Sequence, residues 1–316
     1  MTKRLLLPSE LPTGMWKGSQ DSLLIPHSLC CAYRRMLEDK GLYECATEGP
    51  QRDGPVGGMS ESDTQEHFAT RFSGSAARTQ LAVLDPKDEL ADASDLFVRT
   101  FAGGRVGLLD IPSGAGAASA DLLATVAALR EAGVFPRQPL HVDLVAGDVS
   151  EYARTYAAEL LASIKGPLAR QSIFLNEHLT HWDVLDAEST TAILHEWMQC
   201  APDCREYFVV LANFSGFMES QRKFGQAKPQ LSEIFRWAAL RRSTVMWLEP
   251  QTNVATEGLF PRVLGWLREK MPRLFGRSCD VAECHMTSNC RYIHPVKVDC
   301  APSVRLSLIR LEASDP

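Results

Sequence analysis

The stretch Arg105-Val106-Gly107-Leu108-Leu109-Asp110-Ile111-Pro112-Ser113-Gly114-Ala115-Gly116 decides the fold. It opens as a short β-prone apolar run, ends on an acid, and is broken by Pro112-Ser113-Gly114. Residues 119–134 then read as an amphipathic helix stopped by Gly133. Strand, glycine-bearing turn and helix in that order make the opening of a βαβ unit, which needs further strands beside it.

Working outward, the chain supplies them. Strands are expected at 140–147, within 172–184, at 207–214, 243–250 and 303–312. Helices are expected at 150–166 (ended by Gly166), 190–200, 229–242 and 258–271. Such alternation implies a mainly parallel sheet with helices on both faces. Right-handed crossovers then give a doubly wound α/β sheet whose ligand sits at the carboxyl ends of the strands.

Upstream, 64–103 reads as two helical segments punctuated by Pro86 and Gly103-Gly104, a helical cap region. Residues 1–63 read as an irregular segment with one short helix, Ser28 to Glu38, and a Gly/Pro/Asp-rich loop at 48–65. The expected division is thus 1–63, 64–103 and a Rossmann-like domain at 104–316.

The 316 residues are 45% hydrophobic and 23% charged, an ordinary globular balance. Apolar runs fall far short of the roughly 20 residues that cross a bilayer. The leucines of the N-terminus stop at Pro8, too soon for a signal peptide, so a cytoplasmic protein without a membrane partner is expected. A net charge of −6 argues against a wide nucleic-acid footprint, although Arg236, Arg241 and Arg242 would form a local basic patch.

Nine cysteines without a secretory signal read as free thiols or metal ligands. Cys279, Cys284, Cys290, His294 and Cys300 have ligand chemistry, but tight C-x2-C pairs are missing, and no metal is expected. The remaining cysteines read as incidental thiols.

The chemistry converges on the quoted loop. Gly114 and Gly116 let the backbone approach a ligand, and the following helix offers unpaired N–H groups. Sites for NAD, FAD and nucleotides share such a turn. Asp110 shifts the balance, because a carboxylate aimed into the loop repels a pyrophosphate and suits a cationic ligand.

With that acid, the stretch resembles the first motif of the class I S-adenosylmethionine-dependent methyltransferases, Pro112 standing for the first glycine. Val145-Ala146-Gly147-Asp148-Val149-Ser150 resembles the second motif, in which an acid grips the ribose hydroxyls; Asp148 is the candidate. A carboxylate suits a vicinal diol because it accepts from both hydroxyls. Trp182-Asp183-Val184 resembles the third, with Asp183 toward the adenine amino group and Trp182 offering an apolar face. Leu211-Ala212-Asn213-Phe214-Ser215 lies where the family's fourth motif faces the transferred methyl group. Trp247-Leu248-Glu249-Pro250 resembles the end of its fifth strand, and 303–312 its antiparallel seventh.

The resemblance implies a seven-stranded sheet, S-adenosyl-L-methionine as cofactor, and methyl transfer to nitrogen or oxygen of a small molecule, peptide or protein. It further implies cofactor contacts from Asp110, Pro112, Ser113, Gly114, Gly116, Asp148, Val149, Trp182, Asp183 and Asn213, with Asn213 orienting the nucleophile as the catalytic residue. Two alternatives stand beside it: an enzyme acting on rRNA or tRNA, and a non-catalytic binding or assembly module of the same fold. Asp148 also reads as a helix-N-terminal acid, and Asn213 as a turn residue. Arg71 and Arg78 share a helix face that is either solvated or turned to an acidic ligand. His67 and Tyr292 receive no role from sequence.

Overall fold

The computed structural model describes residues 4–49, 59–220, 222–241, 243–251, 260–275, 285–297 and 299–312. The N-terminal part carries β1 (Trp16–Lys17), β2 (Ser22–Leu24), α1 (His27–Asp39) and α2 (Tyr43–Glu48). Two long helices follow, α3 (Glu61–Leu84) and α4 (Ala91–Phe101). Then come β3 (Gly104–Asp110), α5 (Ala117–Glu131), β4 (Leu140–Asp148), α6 (Glu151–Arg170), β5 (Ile173–His181) and α7 (Ala187–Cys200). The remainder is β6 (Glu206–Ala212), α8 (Ser215–Ser220), α9 (Phe224–Ala239), β7 (Ser243–Pro250), α10 (Phe260–Phe275), β8 (His285–Ile293) and β9 (Ser303–Glu312).

The strands form one sheet in the order β1-β2-β8-β9-β7-β6-β3-β4-β5. From β7 through β5 every pairing is parallel, and β9 is antiparallel to both of its neighbours. The α/β class, the mainly parallel sheet and the antiparallel last strand are therefore as expected. The strand number is not: the sheet has nine strands rather than seven. The additional pair, β1 and β2, lies in residues read as irregular, and β2 extends the sheet by pairing parallel to β8. Strands of two and three residues are too short to show a period.

Helices cover both faces, so the central strands are buried on both sides and read as continuous apolar runs. Along β6, Phe208, Val210 and Ala212 join the core beneath α1, α3, α4, α5 and α6. Tyr207, Val209 and Leu211 join the core beneath α7, α9 and α10. Local chemistry sets the helix starts. Ser60, Ser150 and Asp186 accept from the N–H groups of Asp63, Ala153 and Glu188 at the caps of α3, α6 and α7.

One helix runs past the glycine expected to end it. α6 runs through Gly166 and Pro167 to Arg170. Pro167 removes only one ladder bond, to the carbonyl of the exposed Ser163, while Ile164 and Leu168 keep the turn packed on the core. His285–Ile293, to which the sequence reading assigns no strand, forms β8.

At the amino ends of the strands, Arg130 is buried and cross-ties the connections. Its Nη1 donates to the carbonyls of Gln138 (2.7 Å) and Gln171 (2.8 Å), and its Nη2 to that of Ala102 (2.8 Å). The opposite, carboxyl end is left for a ligand. There β3 lies between β4 and β6, and the chain runs outward in opposite directions from it. That is the switch point at which doubly wound sheets open a crevice.

Candidate functional site

A cavity of about 230 Å³ opens at this switch point. Its walls come from the β3–α5 loop, the end of β4, the turn after β5, the turn after β6, and α3 between Thr64 and Ser75. Eight of the ten residues expected to hold a cofactor line it: Pro112, Ser113, Gly114, Asp148, Val149, Trp182, Asp183 and Asn213. Asp110 and Gly116 do not.

The β3–α5 loop is fixed from beneath. The Ile111–Pro112 peptide is cis. Ser113 N–H donates to the Gly147 carbonyl (2.8 Å), and Gly116 N–H to that of Ser113 (2.9 Å). Gly116 has a left-handed φ of 78° and sits against α6, where an added Cβ would lie 3.2 Å from the Ala157 Cβ. Its role is thus to let α5 begin close to α6.

Asp110 corrects the sequence reading. Its carboxyl is fully buried behind the loop, where Oδ2 accepts from Ser119 N–H (3.3 Å) and Oδ1 has no hydrogen-bond partner among the described residues. Burial pushes its pKa up to about 7, against the hydrogen bonds from Ser119.

Two acids do line the cavity, Asp148 and Asp183. Asp148 ends β4, 8% exposed, with Oδ2 accepting from Gly114 N–H (2.9 Å) and Oδ1 from Ser150 N–H (2.9 Å). Burial raises its pKa, opposed by these two N–H groups. Asp183 follows β5; its Oδ1 accepts from Leu185 N–H (2.8 Å), and its own N–H donates to Ser189 Oγ (2.9 Å). Trp182 is held beside it by Nε1–H donating to Thr190 Oγ1 (3.2 Å). Between the two acids the wall is apolar, from Val149, Trp182 and Val184.

Asn213, the residue expected to orient the nucleophile, has a φ of 57°, as a turn residue would. Its Oδ1 accepts from Arg78 Nε (2.9 Å), leaving the amide NH2. Glu249 holds this turn: buried at the end of β7, its Oε1 accepts from Phe214 N–H (2.9 Å) and Trp247 Nε1–H (2.6 Å). Glu249 thus braces the turn after β6.

Sequence reading missed the contribution of α3. Thr64, His67, Phe72 and Ser75 line the cavity. Their spacings of three, five and three keep them on one side of the helix, but nothing in the sequence says what that side meets.

Elsewhere, Arg236 pairs with Glu233, and Arg241 Nη1 donates to Tyr207 Oη (3.0 Å); Arg242 lies outside the described residues. Cys279 and Cys284 also lie outside them, and no group of three metal-ligating side chains occurs among the described residues. Cys290 is buried on β8, Cys300 is exposed, and His294 Nδ1 accepts from the N–H groups of Val296 and Lys297. No helix among the described residues is long and apolar enough to cross a membrane.

No protein-family model matches the chain, and no curated protein does. Among solved structures it is similar to one from Listeria monocytogenes assigned to the class I S-adenosylmethionine-dependent methyltransferases. That match has 13% identity over 92% of this chain and 88% of the other, with a TM-score of 0.34. It is also similar to the glycopeptide N-methyltransferase MtfA complexed with sinefungin, at 13% identity over 72% of this chain and 71% of the other, with a TM-score of 0.28.

Proposed function

We propose that the chain is an S-adenosylmethionine-dependent methyltransferase acting on a small acceptor. One observation carries the reading. The crevice at the switch point is lined by two carboxylates, Asp148 and Asp183, and by no lysine or arginine among the described residues. A dinucleotide places a pyrophosphate at this turn and gains nothing from two acids. A sulfonium nucleoside with an ammonium group is cationic and carries a ribose diol, and both features suit carboxylates.

When bound, S-adenosylmethionine supplies an activated methyl group on a sulfonium. The chain's own residues bind and orient. Asp148, with one N–H on each oxygen, keeps lone pairs for the ribose hydroxyls. Gly114, at φ 51° with open space where a Cβ would stand, lets the ligand lie against the loop backbone. Trp182, Val149 and Val184 flank the adenine, with Asp183 at its amino group. The side chains of Phe72, Phe214 and Phe217 on the α3 and β6 sides keep water from the acceptor. Alignment alone accounts for much of the rate of such a displacement.

Isothermal titration with S-adenosylmethionine, S-adenosylhomocysteine and NAD tests the reading. We expect saturable binding of the first two and none of NAD. Asp148→Ala should weaken both by about ten- to hundredfold, the loss of a charge-assisted hydrogen-bonded group worth about 1.5–3 kcal/mol. Absence of binding to either sulfur nucleoside overturns it.

A further inference from the structure

β5 ends the sheet on one side, and among the described residues no strand pairs with its outer edge. An open row of backbone N–H and C=O groups is a template for a further strand, and proteins blunt such edges with short strands, lysines, prolines or bulges. The opposite edge follows that rule, since β1 is two residues long and ends in Lys17. β5 does not. Its nine residues, Ile173-Phe174-Leu175-Asn176-Glu177-His178-Leu179-Thr180-His181, include no lysine, arginine or proline. They pair residue for residue with β4, without a bulge.

The register decides which groups face outward. Leu140 N–H donates to the Ser172 carbonyl (2.9 Å), so Phe174, Asn176 and His178 turn their backbone groups to β4. Ile173, Leu175, Glu177 and Leu179 therefore turn theirs to the open edge. The side chains of Ile173, Leu175 and Leu179 pack on the core beneath α6. Those of Phe174, Asn176 and His178 stand on the other face, which carries α7. Phe174 is 46% exposed, its ring stacked on His141 with centroids 5.0 Å apart. His178 lines a groove shared with Ala187, Thr191, Ala192 and His195 of α7.

We propose that the chain forms a two-fold dimer in which β5 pairs antiparallel with β5 of a second copy, the axis passing through Asn176. The strand carries its own complement about that axis. Ile173 meets the second copy's Leu179, and Leu175 its Glu177, and all four are residues whose backbone groups face outward and can exchange both hydrogen bonds. Phe174 meets the second copy's His178 at the closer, non-hydrogen-bonded kind of position, where aromatic pairs stabilise a sheet. Each Phe174 ring then lies at the mouth of the other copy's α7 groove. An axis through Glu177 instead sets two carboxylates opposite each other, which is unfavourable. One through His178 sets Phe174 opposite Trp182, past the end of the strand. The match is internal to this chain and isologous, which favours a second copy over a foreign peptide strand.

Sedimentation equilibrium over a range of protein concentrations tests the association, and a reversible dimer is expected. Phe174→Lys puts a charge on the edge, and should weaken dimerisation at least ~10-fold. Its thermal unfolding should stay cooperative, because the replaced ring is exposed. Oxidative cross-linking tests the register. In Asn176→Cys the two thiols meet across the axis at a Cα separation of about 4.5 Å, within reach of a disulfide, and linked dimers are expected. In Glu177→Cys they stand diagonally, about 7–8 Å apart, and no linkage beyond that of the unaltered protein is expected. A chain that stays monomeric at every concentration, leaving the edge to a peptide or another strand, overturns the proposal. So does a dimer that Phe174→Lys leaves intact, or equal linkage of the two cysteine variants.

Discussion

At the scale of single residues, Asp110 and Asp148 show how position along a strand end divides one chemistry into two tasks. Asp148 is the last residue of β4 and reaches the cavity. Asp110, the last residue of β3, is enclosed by the loop it precedes and holds the α5 start through Ser119. Its pKa has a consequence for stability. Between the ordinary 3.8 and about 7, the folded chain keeps this carboxyl protonated while the unfolded chain ionises it. The folded state therefore holds the extra proton, and the group's contribution to stability falls as pH rises through that window. Asp110→Asn removes the titration. Urea unfolding across the window should show the unaltered protein losing stability relative to the variant, by up to ~1.4 kcal/mol per pH unit. Parallel curves for the two proteins would contradict the buried, protonated carboxyl.

At the scale of elements, the end of β4 is where packing and binding meet. Gly147 precedes Asp148, and a Cβ there would collide with Ile193 Cδ1 on α7 and lie 2.8 Å from the Trp182 Cβ. Both neighbours are buried side chains, so relief requires α7 or the turn carrying Trp182 to shift. Gly147→Ala should cost about 1–3 kcal/mol, as overpacked sites do. It should also weaken S-adenosylhomocysteine by moving Trp182, which titration of the folded variant would detect; unchanged stability would contradict the close approach.

The same elements show what the sequence can disclose. The β3 loop, Asp148, Trp182 and Asp183 were legible because each follows a strand of a regular alternation, and parallel strands bring their carboxyl ends together. Three things were hidden. The period-two burial of Ser288, Cys290 and Tyr292 makes β8 a half-buried strand, yet these residue types read equally well as ligands or loop. His67 was hidden because helical spacing identifies a face without identifying its neighbour. The direction of Asp110 was hidden for a related reason: the loop's path, not the strand, decides which side of it a carboxyl faces.

At the scale of the whole molecule, the N-terminal residues are part of the structure that carries the site. β2 adds a parallel strand beside β8, and Arg291 N–H donates to the Asp21 carbonyl (2.8 Å). Leu23, Leu29, Tyr33, Met36 and Leu37 are buried in the same core as α3 and α5. Tyr33 Oη donates to the Ala69 carbonyl (2.7 Å), and its ring stacks on Phe72, centroids 4.8 Å apart, so α1 braces the helix that lines the cavity. Each such side chain contributes roughly 1.5–3 kcal/mol on burial. Five together match the total stability of an ordinary domain, about 5–15 kcal/mol. A chain begun at Ser60 would uncover that surface along α3 and leave the β8 edge unpaired. We expect it to lack a cooperative thermal transition and to bind no S-adenosylhomocysteine, even though it keeps every cavity residue except Met59. A sharp calorimetric transition in the shortened chain would show instead that residues 60–316 hold their fold without the segment packed against them.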